Sequence, residues 1–183
     1  MVSPQDSLRY YEINPQVRTI AETYFTYLSN GLADTQIVIG DARISMQREF
    51  EASGSNTFDV LVLDAFSGDS VPVHLLTAEA FDLYAQHLSD GGILAIHVSN
   101  QYLDLTPVVR AGAMHIGMDS VLVVDSGDSW YHSSTDWVLI SANQEFLDSA
   151  TVRSIVTEWP DQLEPILWTD RFSNLLQIID WTD

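Results

Sequence analysis

A chain of 183 residues, 46% of them apolar, is long enough for one domain with a real core; with no cysteine it excludes a disulfide scaffold, a thiolate zinc site and a cysteine nucleophile. Acidic residues number 26 against 7 basic, a formal net charge of −19, which opposes nucleic acid and anionic lipid and suits either a small cationic partner or the solvated acidic surface of a protein from a high-salt source. No apolar run approaches the roughly 20 residues of a membrane span and the start MVSPQDS is too polar for a signal peptide, so a cytoplasmic location without a membrane partner is expected.

In chain order, β-rich runs alternate with amphipathic ones. LRYYEI (8–13) predicts a strand, and PQVRTIAETYFTYL (15–28) a helix opened by Pro15. In that helix Val17, Ile20, Ala21, Tyr24, Phe25 and Leu28 recur at three-and-four spacing. TQIVIG (35–40) predicts a strand and ARISMQREFEA (42–52) a helix. FDVLVLDAF (58–66) is continuously apolar, as a central parallel strand covered on both faces would be. TAEAFDLYAQHL (77–88) follows as a helix with Thr77 at its N-cap, and GGILAIHVS (91–99) as a second buried strand. TPVVRAGAMHIG (106–117) predicts a helix closed by Gly117. SVLVVDS (120–126) and DWVLISA (136–142) predict strands, with no long helix between them and therefore an antiparallel hairpin at a sheet edge. Residues 143–160 hold one helix or two. Strand–helix alternation of this kind predicts an α/β chain with a mostly parallel, Rossmann-like sheet, read as a single domain over 1–183.

Ligands of such a sheet gather at the carboxyl ends of its strands. Those ends carry Glu12 and Asn14, then Gly40-Asp41-Ala42, then Asp64 through Ser70, then His97 through Asn100. Glu12, Asp41 and Asp64 would therefore share one rim, with Asp69 in the loop beyond. A carboxylate can accept two ribose hydroxyls (Glu12), accept from an adenine amino group (Asp41), or hold an amine and take its proton (Asp64, Asp69). Each acid also has a purely structural use, since Asp and Asn favour the cap of the next helix.

The run YYEINP…IVIGDAR…FDVLVLDAFSGDSVPVHLLTAEAF…GGILAIHVSN resembles the spermidine synthase-like aminopropyltransferases, within the S-adenosylmethionine-dependent methyltransferase fold class. The likeness covers roughly residues 8–105, with a weaker echo in WTDRFSNLL (168–176). It implies that Glu12 binds the ribose of decarboxylated S-adenosylmethionine and that Asp41 and Ala42 read its adenine. Asp64 then accepts the proton of the attacking amine and Asp69 orients that amine, although the two acids stand five apart where the family spaces them by three. The implied partner is a small cationic amine, and no metal is needed.

The same resemblance implies a departure. Family members place a β-rich region, a first strand and a glycine-rich turn before the segment where this chain starts, so a truncated domain is expected. Without that central strand the sheet would pair its neighbours directly, borrow a strand from a partner chain, or leave edges exposed, which favours association, so a homo-oligomer is expected. Two further readings stay open: a non-catalytic nucleoside-binding or oligomeric relative, and a methyltransferase acting on S-adenosylmethionine. Of the five histidines, none shows metal spacing. His74, beside the acidic loop, is a candidate to line the amine site, His97 is expected to be a hydrogen-bonded core residue, and His87 and His115 surface or packing residues. Ser67 and Ser70 lack a neighbouring His–Asp pair. Trp130 and Tyr131 are as compatible with covering a ligand as with the core, and Trp159, Trp168 and Trp181 are expected to be packing anchors.

Overall fold

A computed structural model describes residues 3–31, 33–65, 71–127 and 134–179. Two compact units emerge, Met1–Gly54 and Ser55–Asp183. Among the described residues no helix is long and apolar enough to cross a membrane.

The first unit runs β1 (Ser7–Glu12), α1 (Pro15–Tyr24), β2 (Asp34–Ile39) and α2 (Ala42–Ser53). β1 and β2 pair in parallel from Ser7↔Asp34 to Glu12↔Ile39, as a strand–helix–strand crossover requires. α1 starts where Asn14 accepts a hydrogen bond from the Gln16 amide at 2.9 Å and Pro15 fills the first turn, whose amides lack helical partners anyway. It stops at Tyr24, earlier than the periodicity over 15–28 predicts, and Phe25 is already extended. The reason is packing: Val17, Ile20, Tyr24 and Phe25 are exposed and only Ala21 is buried. A short helix depends on a buried face more than on propensity.

α2 is better anchored. Met46 is buried, and Glu49 clasps β1 through two contacts. Its Oε1 accepts from Arg9 at 2.7 Å and its Oε2 from the Tyr11 hydroxyl at 2.6 Å. Burial first, and the Glu49 carboxylate second, push the Tyr11 phenol well above its ordinary pKa.

The second unit runs β3 (Phe58–Leu63), α3 (Ala78–His87), β4 (Leu88–His97), α4 (Thr106–His115), β5 (Asp119–Asp125) and β6 (Thr135–Ser141), then the short helices α5 (Gln144–Leu147) and α6 (Ala150–Arg153). Its sheet has the order β3-β4-β6-β5. β3 and β4 are parallel; β6 runs antiparallel to both β4 and β5, so the expected hairpin sits at one edge. Gly92 allows the β3–β4 approach, since a Cβ there would lie 2.8 Å from the Phe58 carbonyl oxygen. Gly112 does the same between α3 and α4, where a Cβ would fall 2.2 Å from the Phe81 ring. The core around them holds Phe81, Tyr84, Leu94, Ile96, Val109 and Ile140, all buried.

β3 departs from expectation. It lies at the end of its sheet, and Val60 and Val62 are 55% and 53% exposed. A continuously apolar strand implies cover on both faces, and here the face that carries Val60 and Val62 is open; β4 is the one strand β3 pairs with among the described residues. The echo motif WTDRFSNLL has a structural role. Trp168 is fully buried, its carbonyl accepts from the Ala78 amide at 2.8 Å, and Asp170 accepts from the Thr77 hydroxyl at 2.8 Å. The carboxyl-terminal segment thereby ties down the start of α3.

Candidate functional site

In the first unit, the parallel register brings Glu12 and Asp41 to the same end of the β1–β2 ladder, where the Gly40 amide donates to the Glu12 carbonyl at 2.9 Å. Gly40 takes φ +143°, a conformation open to glycine and strained for other residues, and this turns the chain directly from β2 into the cap of α2. Both acids do local work. Glu12 Oε1 accepts from the Asn14 amide at 2.7 Å, and Asp41 Oδ1 accepts from the Ile44 amide at 2.9 Å as the N-cap of α2. A carboxylate offers roughly four lone-pair sites, and the bond to Asn14 uses one of those on Glu12. Ala42 opens α2, half-buried beside Asp41.

In the second unit, Asp64 is the first residue after β3 and its side chain is 59% exposed. Its Oδ1 lies 2.9 Å from Nδ1 of His97, the last residue of β4, which is 20% exposed. The parallel pairing of β3 with β4 sets this contact, because Leu63 and Ile96 are register partners and the two polar residues follow them. On the other side β4 meets β6, with His97 opposite Trp137. The two rings stack at 4.9 Å with 26° between their planes. Thr135, two residues from Trp137 and hence on the same face, receives the indole N–H at 3.0 Å and stands 3.2 Å from His97 Nε2.

Asp136, between them, faces elsewhere. Its amide donates to Ser99 Oγ at 2.6 Å. Burial raises its carboxyl pKa, the His97 charge lowers it and Asp104 raises it, with a net upward shift.

The structure therefore places Glu12 and Asp41 at the same end of one strand pair, and in the other unit bonds Asp64 to His97. His74 is exposed on a single 3-10 turn, Val73–Leu75. Asp69, Ser67, Ser70, Trp130, Tyr131 and Trp181 lie outside the described residues. His87 is a packing residue: fully buried, it accepts from the Asn56 amide at 3.1 Å and stacks on Phe58. His115 pairs with Asp82 at 3.0 Å. Sequence reasoning placed His97 at a strand end without its partner there. Nor did it single out Thr135 and Trp137, because only the antiparallel β4–β6 register brings them to that ring.

No family model matches the chain. Over 91 residues it is 35% identical to the polyamine aminopropyltransferase of Vibrio vulnificus, across 50% of this chain and 29% of that protein. Over 86 residues it is 35% identical to the N-terminal histidine N-methyltransferase of Emericella nidulans, across 47% of this chain and 15% of that protein. The spermidine synthase of Thermotoga maritima superposes with a TM-score of 0.54 at 16% identity, covering 89% of this chain and 54% of that one. The chain thus spans less than a third of these curated relatives and about half of the solved structure. It is similar in sequence to an aminopropyltransferase, and its fold is the Rossmann-like α/β fold of the spermidine synthases.

Proposed function

We propose that this chain carries out aminopropyl transfer from decarboxylated S-adenosylmethionine to a small amine. The observation that carries the reading is the 35% identity to polyamine aminopropyltransferase over half the chain. The acids at the strand ends suit that chemistry. Glu12 would accept the ribose hydroxyls and Asp41, with Ala42, would meet the adenine edge. Asp64 is the candidate base: its hydrogen bond is to the His97 ring and not to a backbone amide, and it faces solvent. Asp69 and His74 would orient the amine.

The reaction is a displacement. Asp64 removes one proton from the substrate ammonium, and the freed nitrogen lone pair attacks the aminopropyl carbon beside the sulfonium. The carbon–sulfur bond breaks and its electrons stay on sulfur, giving neutral methylthioadenosine and a secondary ammonium product. Bringing the two substrates together in line supplies much of the acceleration. The net charge of −19 favours capture of a cationic amine, an effect that salt weakens.

A methyltransferase is the second reading, favoured by the likeness to a histidine N-methyltransferase. Calorimetry with methylthioadenosine and S-adenosylmethionine, followed by product analysis with putrescine and each sulfonium donor, separates the two. Spermidine formation from the decarboxylated donor is expected, and Asp64→Asn should lower kcat by roughly 10²–10⁴-fold with methylthioadenosine affinity kept. Methyl transfer instead would establish the second reading, and lack of binding by either nucleoside would remove both.

A further inference from the structure

We propose that His97 is the positioning residue for Asp64, holding one carboxylate oxygen so that the other is presented to the amine; the inference rests on the aminopropyl-transfer reading above. The hydrogen-bond chain has a direction. An indole N–H can only donate, so Thr135 Oγ1 accepts from Trp137. The Asp64 carboxylate can only accept, so an imidazole proton sits on Nδ1, aimed at Oδ1, and the threonine proton is available to Nε2. In its neutral form His97 is thereby set in the one tautomer that donates to a carboxylate.

Three features separate this from an incidental surface pair. The participants stand at the ends of three hydrogen-bonded strands, β3, β4 and β6, which are rigid supports for a functional group. The imidazole is further pinned by stacking on Trp137. An ion pair with so exposed a carboxylate adds little to folding stability, so the layered support is poorly explained as a stabilising device. Its one evident consequence is that a solvent-facing carboxylate has a fixed orientation. Asp136 interacts electrostatically with His97, and Asp104 with Asp136.

Two measurements on the full chain test the assignment. Imidazole nitrogen NMR should show His97 protonated at Nδ1 and bare at Nε2, with the Nδ1 signal moved by Asp64→Ala. Protonation at Nε2, or indifference to Asp64→Ala, would overturn the proposal whether or not the protein turns over. In amine-dependent turnover, His97→Asn places an amide N–H where Nδ1 stood, while His97→Gln extends its amide towards the Nε2 position and Thr135. His97→Asn should stay within a few-fold of the parent. His97→Gln should lose about 100-fold in kcat with the KM for the sulfonium donor unchanged. Equal losses in the two variants, or a change confined to KM, would count against positioning. Absence of turnover in the parent would instead remove the aminopropyl reading and leave the NMR result to decide the tautomer.

Discussion

The two units bury their apolar residues to different extents. Among the described residues of Met1–Gly54 only Ala21 and Met46 are buried hydrophobics, while Ile13, Val17, Ile20, Tyr24, Phe25 and Tyr27 are exposed. Ser55–Asp183 has a deep core closed by Trp168. The candidate acids divide in parallel. In the first unit they bond to backbone amides at the start of a helix; in the second, Asp64 bonds to a side chain that is itself held by two others. The difference teaches that a strand-end acid has two kinds of support. One is local and readable from neighbouring residues, and the other depends on strands far apart in sequence.

Substitutions can sharpen or break this contrast. Trp168→Ala should be the most damaging, at about 3–5 kcal/mol, because it empties a fully enclosed site under α3. All 5 tryptophans lie in the second unit, so denaturation followed by the fluorescence of those that remain reports on it directly. A cost below about 1 kcal/mol would show that the carboxyl-terminal segment is not part of that cooperative core. Asp41→Ala should cost about 1 kcal/mol through loss of the α2 cap, whereas Asp41→Asn keeps the cap and should cost a few tenths. If Asp41 also meets adenine, both variants should weaken methylthioadenosine binding in calorimetry. If its work is only local, binding should survive both.

The smallest effect concerns pH. The Asp136 carboxyl has its pKa raised in the folded state, so the native protein holds that proton more tightly than the unfolded chain does. Stability from this group is complete below the ordinary carboxylate range and is lost as pH rises through the raised value. Asp136→Asn should flatten that part of a stability–pH curve measured by denaturant midpoint. An unchanged slope would mean that burial around Ser99 and Asp136 is weaker in solution.

Much of this architecture was legible in the sequence because it is set locally. Asn14 with Pro15, Asp41 and Thr77 mark the starts of α1, α2 and α3, and each accepts the expected amide. The antiparallel edge hairpin followed from two strands without a helix between them. The premature end of α1 was not legible, since periodicity records which residues would form a face and not whether anything covers it. The exposure of Val60 and Val62 escaped for the same reason, because an apolar run describes a strand and not what covers its faces.

The order of elements, their caps, the acidity and the candidate acids Glu12, Asp41 and Asp64 follow from the amino-acid sequence alone, because each depends on residue type and short-range spacing. That Asp64 rests on His97, and His97 on Thr135 and Trp137, was decided only by the tertiary structure. Those residues lie 33 and 38 positions apart along the two hydrogen bonds that join them. Only the registers of β3 with β4 and of β4 with β6 bring them within bonding distance.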